Sequence, residues 1–214
     1  MPRASAGAFA MPSSPDGLLA ASRELAAIAQ AGLHYAKDPF DKERFAHVLD
    51  IAGGLLQQTD TTASFTWPVE LGHPTPKVDV RAVVFQKNQV LLVKERSSGF
   101  WTVPGGWCDV NLSPAQNAEK ECLEESGFEV KALAITSVRD RDAAGYSPHP
   151  HAIYKIHILC GLVGGTARQS NETSDVGFFA LDELPPLDPS RSREDEIRLA
   201  FEFLADPHRP AAFN

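Results

Sequence analysis

Glu121, Glu124 and Glu125 stand at positions i, i+3 and i+4 of the run PGGWCDVNLSPAQNAEKECLEESGF, residues 104–128. On a helix that spacing sets three carboxylates on one face. Two like charges about 4 Å apart repel by about 1 kcal/mol in water and about 4 kcal/mol at a protein surface. Such a stripe either stays solvated, as most acidic helix faces do, or takes up a cation. An all-oxygen set on a loop and helix suits Mg²⁺ or Mn²⁺ rather than zinc. The same run carries the signals of the helix that would present these side chains. Ser113 is a natural N-cap, Pro114 fits the first helical position and Gln116 completes a capping box. Gly127 supplies a left-handed C-cap. Asn117 and Lys120 extend the polar stripe, while Ala115, Ala118 and Cys122 are expected to point toward a core.

The glycine loop ahead of the glutamates gives them a context. Its residues resemble the Nudix box: Gly, five residues, Glu, seven residues, then Arg-Glu-apolar-x-Glu-Glu-x-Gly-apolar. Gly106, Glu121, Glu124, Glu125 and Gly127 match, with Gly105 beside them in the loop, and two positions depart. Leu112 stands where the box has its first Glu, and Lys120 where it has Arg. In the family those two residues typically pair and brace the loop against the helix. Their joint loss here predicts Leu112 packing where the ion pair would sit. The likeness runs over residues 78–204 and is similar to the subgroup with an N-terminal helical domain, which includes ADP-ribose and CDP-choline pyrophosphatases. The runs HPHAIYK and ETSDVGFF also look characteristic of that subgroup.

That resemblance implies an α/β fold, a Nudix-type α/β/α sandwich on a mixed sheet, preceded by a small all-helical domain. It also implies water attack on one phosphorus of a nucleoside diphosphate linked to another group. Glu121 and Glu125 would be direct ligands of Mg²⁺ or Mn²⁺, with Glu124 a ligand or a partner just behind them. A carbonyl oxygen near Gly106 would complete the set. Lys120 either pairs with Glu124 one turn on or reaches phosphate. Glu172, in the polar loop SNETSD, is the candidate general base, with Asp175 a weaker rival. An ordinary loop glutamate is the plain alternative.

Substrate contacts are expected from Arg139 and Arg141, which with Asp140 and Asp142 follow a strand and could grip phosphate or ribose. Solvated loop charges would explain them as simply. In YSPHPH, Tyr146, His149 and His151 suggest base stacking or a lid, against a purely structural loop; the three-His spacing of a zinc site is absent.

The elements that must position these groups are legible in outline. Residues 16–35 carry helical periodicity, Asp38-Pro39 breaks it, and Asp41 can cap a second helix to about residue 57. From residue 78 the period changes to strands. VDVRAVVF and QVLLVKE flank a turn at Lys87-Asn88, followed by residues 100–103, 130–138, 152–163 and 177–181, with a closing helix over 192–204. The expected division is a disordered tail over 1–15, a helical domain over 16–65 that packs or dimerises, and a catalytic domain over 66–214.

Composition bounds the partners. The net charge of −8 over 214 residues, with no Lys/Arg cluster to offset it, argues against a nucleic-acid face. There is no apolar run of membrane-spanning length and no signal-peptide pattern. Three cysteines without paired metal spacing suit a reducing cytoplasm. The expected activity is hydrolysis of ADP-ribose, with CDP-choline or another nucleotide-diphosphate alcohol as the alternative substrate. The alternative of another class is a Nudix-fold sensor that binds nucleotide without cleaving it. The protein is expected to be a homodimer acting on a nucleotide small molecule, without nucleic acid or membrane.

Overall fold

The computed structural model describes residues 14–59, 67, 70 and 72–214. Of the expected tail over 1–15, residues 1–13 lie outside the described residues, as does the expected boundary at 65/66; Ser14 and Pro15 belong instead to the start of the first helix. Two compact units divide the chain: the part before Pro76 together with Pro148–Ala152, and Pro76–Ser147 together with Ile153–Asn214.

The first unit is built on two helices, α1 (Pro15–Tyr35) and α2 (Pro39–Gln57). Ser14 caps α1, its hydroxyl accepting from the Gly17 N–H. Asp38, not Asp41, caps α2, accepting from the N–H groups of Phe40 and Asp41. The expected break at Asp38-Pro39 separates the two helices, and Pro39 opens the second, since its fixed φ suits a first helical position. The helices pack through small residues. Ala26, Ala29 and Ala52 are buried with Leu19 and Leu56, and the Ser22 hydroxyl donates to the Ala52 carbonyl at 2.6 Å. Gly32 lies so close to the Phe45 ring that an added Cβ would sit 2.4 Å from it. This small core leaves Ile28, Tyr35, Phe40 and Ile51 exposed.

The second unit is a mixed sheet with a helix on each face. Its strands are β1 (Lys77–Gln86), β2 (Gln89–Glu95), β3 (Trp101–Thr102), β4 (Phe128–Asp140), β5 (Ile153–Gly165), β6 (Thr173–Phe179) and β7 (Ala212–Phe213). The order is β3-β2-β1-β5-β4-β7, with β6 also pairing β2. β1 runs parallel to β5 and β4 to β7; the other pairs are antiparallel. Lys87 and Asn88, at φ 48° and 61°, form the tight turn between β1 and β2.

Strand alternation sorts the core. Val80, Ala82, Val84 and Leu91 pack with Ala118 and Cys122 of α3 (Pro114–Ser126). Val83, Val90 and Leu92 pack on the other face with Ile197 and Ala200 of α4 (Glu194–Ala205). Phe178 joins the α3 side and Phe179 the α4 side. The result is the three-layer arrangement that the sequence led us to expect. The two-residue β7 was not foreseen, because a strand that short carries no periodicity.

Candidate active site

The stretch from Pro104 to Cys108 runs along β1 as an irregular extra strand. Ala82 N–H donates to the Pro104 carbonyl at 2.8 Å, Val80 N–H to Gly106 at 2.9 Å, and Cys108 N–H to Val78 at 3.0 Å. Gly105 makes this approach possible. Its φ is +143°, and a Cβ there would lie 2.0 Å from the Val80 carbonyl oxygen. At the far end, Ser113 and Gln116 form the reciprocal capping box, and Gly127, at φ 79°, closes α3 in the left-handed conformation.

Asn117 departs from expectation. It is fully buried, not part of an exposed polar stripe. Its Oδ1 accepts from Asp109 N–H at 2.8 Å, and its Nδ2 donates to the carbonyls of Asp109, Leu112 and Ser113. One amide thus satisfies a whole turn of backbone between the glycine loop and the helix. Leu112 is 37% exposed, so it does not fill the place of a bracing ion pair. Lys120 makes the brace instead, 2.7 Å from Glu124 and 3.2 Å from Asp109 on the loop. Those two carboxylates raise the pKa of its ammonium group.

Each loop glycine meets one carboxylate. Gly105 N–H donates to Glu125 Oε2 at 2.9 Å. A Cβ on Gly106 would lie 3.1 Å from Glu121 Oε2, so that carboxylate rests against the Gly106 backbone. Glu125 is 5% exposed. Burial pushes its pKa up to about 7, although Arg81 and the Gly105 N–H favour the charged form, and Glu121 and Glu95 push it further up. Burial also raises Glu121, opposed by Lys120 and reinforced by Glu124. Glu124 is exposed and turned to Lys120. No three His, Cys, Asp or Glu side chains among the described residues close on a single point. The donors that fit a cation are Glu121, Glu125 and the Gly106 carbonyl, which has a lone pair to spare beyond its bond to Val80. They are all oxygen, Glu125 makes no ion pair among the described residues and Glu121 shares only the Lys120 ammonium at 3.5 Å, which suits a hard divalent ion.

Beneath the loop lies a buried charge network that our sequence reading missed. Arg81 holds Asp79 through Nε–Oδ1 at 2.8 Å and Nη2–Oδ2 at 2.7 Å, and donates to the Val103 carbonyl. Lys155 Nζ reaches Asp79 at 3.2 Å. Burial alone would raise the Asp79 pKa, but Arg81 and Lys155 hold it down at about 2. Burial and Arg81 depress Lys155 to about 8. Tyr146, expected at the substrate, is 6% exposed and donates to Glu196, with Lys155 4.9 Å from its ring centroid. The signal was present in VDVRAVVF, where Asp and Arg two residues apart share a strand face.

Arg139 pairs with Asp195 at 2.9 Å. Arg141 is 6% exposed, donates to the Ser147 carbonyl and lies 5.3 Å over Tyr146. His149 and His151 belong to the helical unit, where Arg23 Nε donates to Pro150 at 3.0 Å and the two rings lie 5.7 Å apart. Glu172 is exposed, and its carbonyl accepts from Arg96 N–H at 2.8 Å. Its neighbour Thr173 donates through its hydroxyl to the Glu125 carbonyl at 2.6 Å, tying the Glu172 loop to the end of α3. Asp175 is exposed on β6. A cavity of about 670 Å³ opens at the start of α4, lined by Leu184, Pro185, Leu187, Arg193 and Arg198 among others. None of the four candidate glutamates lines it.

Residues 75–201 match the NUDIX domain family, and residues 16–64 match the family described as the UDP-X-like, N-terminal oligomerisation domain. YjhB of Bacillus subtilis strain 168, provisionally named an ADP-ribose pyrophosphatase, is 36% identical over 197 residues, 90% of this chain and 95% of its own length. The crystal structure of an ADP-ribose pyrophosphatase from Streptococcus suis 89-1591 is 38% identical, with a TM-score of 0.60, over 65% of this chain and 100% of that one. The crystal structure of a UDP-X diphosphatase is 27% identical, with a TM-score of 0.61, over 94% of this chain and 99% of that one. With its glycine loop set against two helix carboxylates, the chain belongs to the Nudix hydrolase family and carries a helical N-terminal segment of the oligomerisation type.

Proposed function

We propose that this pyrophosphohydrolase cleaves ADP-ribose to AMP and ribose 5-phosphate and depends on Mg²⁺ or Mn²⁺. The observation that carries the reading is Glu125, a buried carboxylate whose charge is answered locally by one N–H and by an Arg81 already committed to Asp79. Glu121, Glu125 and the Gly106 carbonyl would hold the ion. Bound there, it supplies neutralisation of the diphosphate and a lowered pKa for the attacking water. Glu172 takes that water's proton as its oxygen bonds to phosphorus, and the bridging P–O bond breaks with its electron pair on the departing phosphate. Lys120 keeps Glu124 and the loop in register rather than reaching substrate. Glu124 thus stands at the rim of the site.

Two relatives named for ADP-ribose favour that substrate. The UDP-X diphosphatase, which is matched over nearly the whole chain, favours a UDP-linked diphosphate as a rival substrate, and CDP-choline is the further alternative that the sequence suggests. The exposed Ile28 and Ile51, on a helical pair with so small a core, support pairing of two copies into a homodimer. No helix among the described residues is long and apolar enough to cross a membrane, and Cys108, Cys122 and Cys160 form no disulfide. A cytoplasmic enzyme is the matching proposal. The test is a panel of ADP-ribose, CDP-choline and UDP-sugars with each metal, read by product chromatography. AMP and ribose 5-phosphate as the fastest-formed products support the reading. Binding without cleavage of any compound would leave a nucleotide sensor instead.

A further inference from the structure

An ion pair at the end of β2 lies beside the candidate glutamates and has no part in the chemistry proposed so far. Glu95, the last residue of β2, is 3% exposed, and Arg191 Nη1 lies 3.0 Å from its Oε1. That contact lies off the hydrogen-bonding direction, leaving Oε1 without a hydrogen-bond partner. The position of Glu95 is set by backbone pairing. It stands opposite Thr173 across a register shift between Lys94 and Glu95, and such a bulge re-aims a side chain. Thr173 is the residue whose hydroxyl holds the Glu125 carbonyl, and the next amide along β2, from Arg96, donates to Glu172. The end of β2, the candidate base and the end of α3 therefore meet at one place.

Arg191 is built as a fixed arm over that place. Its N–H donates to the Asp188 carbonyl at 3.1 Å, and its own carbonyl accepts from Lys155 Nζ at 2.9 Å. The backbone is thus anchored in the buried network while the side chain stays 38% exposed. Arg81, whose charge also reaches Glu125, is 2% exposed and already spent on Asp79, and the Arg96 guanidinium is bonded to Ser170 and Gln169. A guanidinium offers five N–H donors in a planar fork that matches phosphate oxygens, and Glu95 uses a single edge of it.

We propose that Arg191 grips the diphosphate of the substrate and that Glu95 is the positioning residue that holds its fork toward the catalytic glutamates. The proposal rests on the pyrophosphohydrolase reading but not on the identity of the nucleotide. A charge-assisted hydrogen bond contributes about 1.5–3 kcal/mol, which is roughly 12- to 150-fold in affinity.

The experiment uses the full chain with saturating Mg²⁺. KM and kcat are measured on whichever panel compound is cleaved, and inorganic pyrophosphate binding is measured by calorimetry. Arg191→Gln should raise both KM and the pyrophosphate Kd at least tenfold while leaving adenosine binding unchanged, and Arg191→Lys should fall between. Glu95→Gln should raise KM by a smaller factor, with Glu95→Asp recovering part of it. Wild-type pyrophosphate affinity in Arg191→Gln overturns the proposal, whether or not its melting temperature falls. If Arg191→Gln does not fold, Glu95→Gln decides, and an unchanged KM there overturns it equally. If no panel compound is cleaved, the activity reading fails and the calorimetry still decides the role of Arg191.

Discussion

Gly105→Ala tests how tightly the glycine loop is built. The added Cβ would lie 2.0 Å from the Val80 carbonyl oxygen and 2.9 Å from Arg81 Cα, both backbone atoms that cannot rotate away. Ordinary contact begins near 3.4 Å, so the loop and β1 must separate by about 1.4 Å. That movement breaks the 2.9 Å bond from Gly105 N–H to Glu125, a charge-assisted bond of about 1.5–3 kcal/mol. Holding alanine at a φ of +143° adds about 1–3 kcal/mol of backbone strain. We expect a loss of about 3–5 kcal/mol, or a fall in melting temperature of about 6–20 °C for a chain this long. Turnover should fall at least about a hundredfold, since a misplacement of about 1 Å suffices for that. Gly106→Ala is the control. Its Cβ meets only the mobile end of Glu121, at 3.1 Å, so stability should change by less than about 1 kcal/mol while the metal requirement shifts. Thermal melts and steady-state kinetics on both variants decide the matter. A Gly105→Ala protein within about 0.5 kcal/mol and threefold of the parent would refute the packing argument.

Glu121→Gln and Glu125→Gln should each lower turnover at least about a hundredfold, some 2.7 kcal/mol of barrier, without loss of folded protein; normal rates at limiting metal would sink the ligand assignment. Glu172→Gln should cost a hundredfold or more while the melting temperature and metal affinity stay put, and rescue by high Mg²⁺ would show it to be a ligand rather than a base. Glu196 is 4% exposed; burial alone would raise its pKa, but His157, Tyr146 and Lys155 hold it down at about 2, against 4.5 unperturbed. Its folded pKa being the lower, it stabilises above pH 4.5, and about 3 kcal/mol is lost as pH falls toward 2. Acid unfolding of Glu196→Gln should lack that segment of the curve, and a profile parallel to the parent's would contradict it. Replacing both Ile28 and Ile51 by Glu should convert dimer to monomer in light scattering; an unchanged mass removes the α1–α2 surface as the interface.

The parts of the molecule that were legible in the sequence are those whose cause is local. Ser113, Gln116 and Gly127 bound α3 by rules that act within four residues, and the helix ends where they say. Lys87-Asn88 sets the hairpin through two left-handed residues. What failed were inferences about which way a residue faces. Asn117 lies on the helix face that carries Lys120, yet the loop folds over it and buries it, because its amide can satisfy that turn. Asp38-Pro39 does separate the two helices, but the cap of the second is Asp38 rather than Asp41. Leu112 marks the place of a lost ion pair in the motif, but Asp109, three residues earlier, supplies the acid.

The site itself depended on pairing at long range, which no window of sequence displays. Arg81 could have neutralised Glu125, since its charge is felt there and burial leaves it nowhere else to go. Instead the parallel register of β1 and β5 sets Asp79 opposite Lys155, and the strand alternation brings Asp79 and Arg81 to the same face. Asp79 then takes both of Arg81's parallel donors, and Lys155 completes the neutralisation. The buried charges of the network are balanced among themselves, and Glu125 is left outside that balance with one N–H. A carboxylate held in that condition disfavours its own ionised form, and a divalent cation reverses the preference. On the proposed reading, the network would preserve the need of Glu125 for a cation, because it commits the Arg81 guanidinium to Asp79.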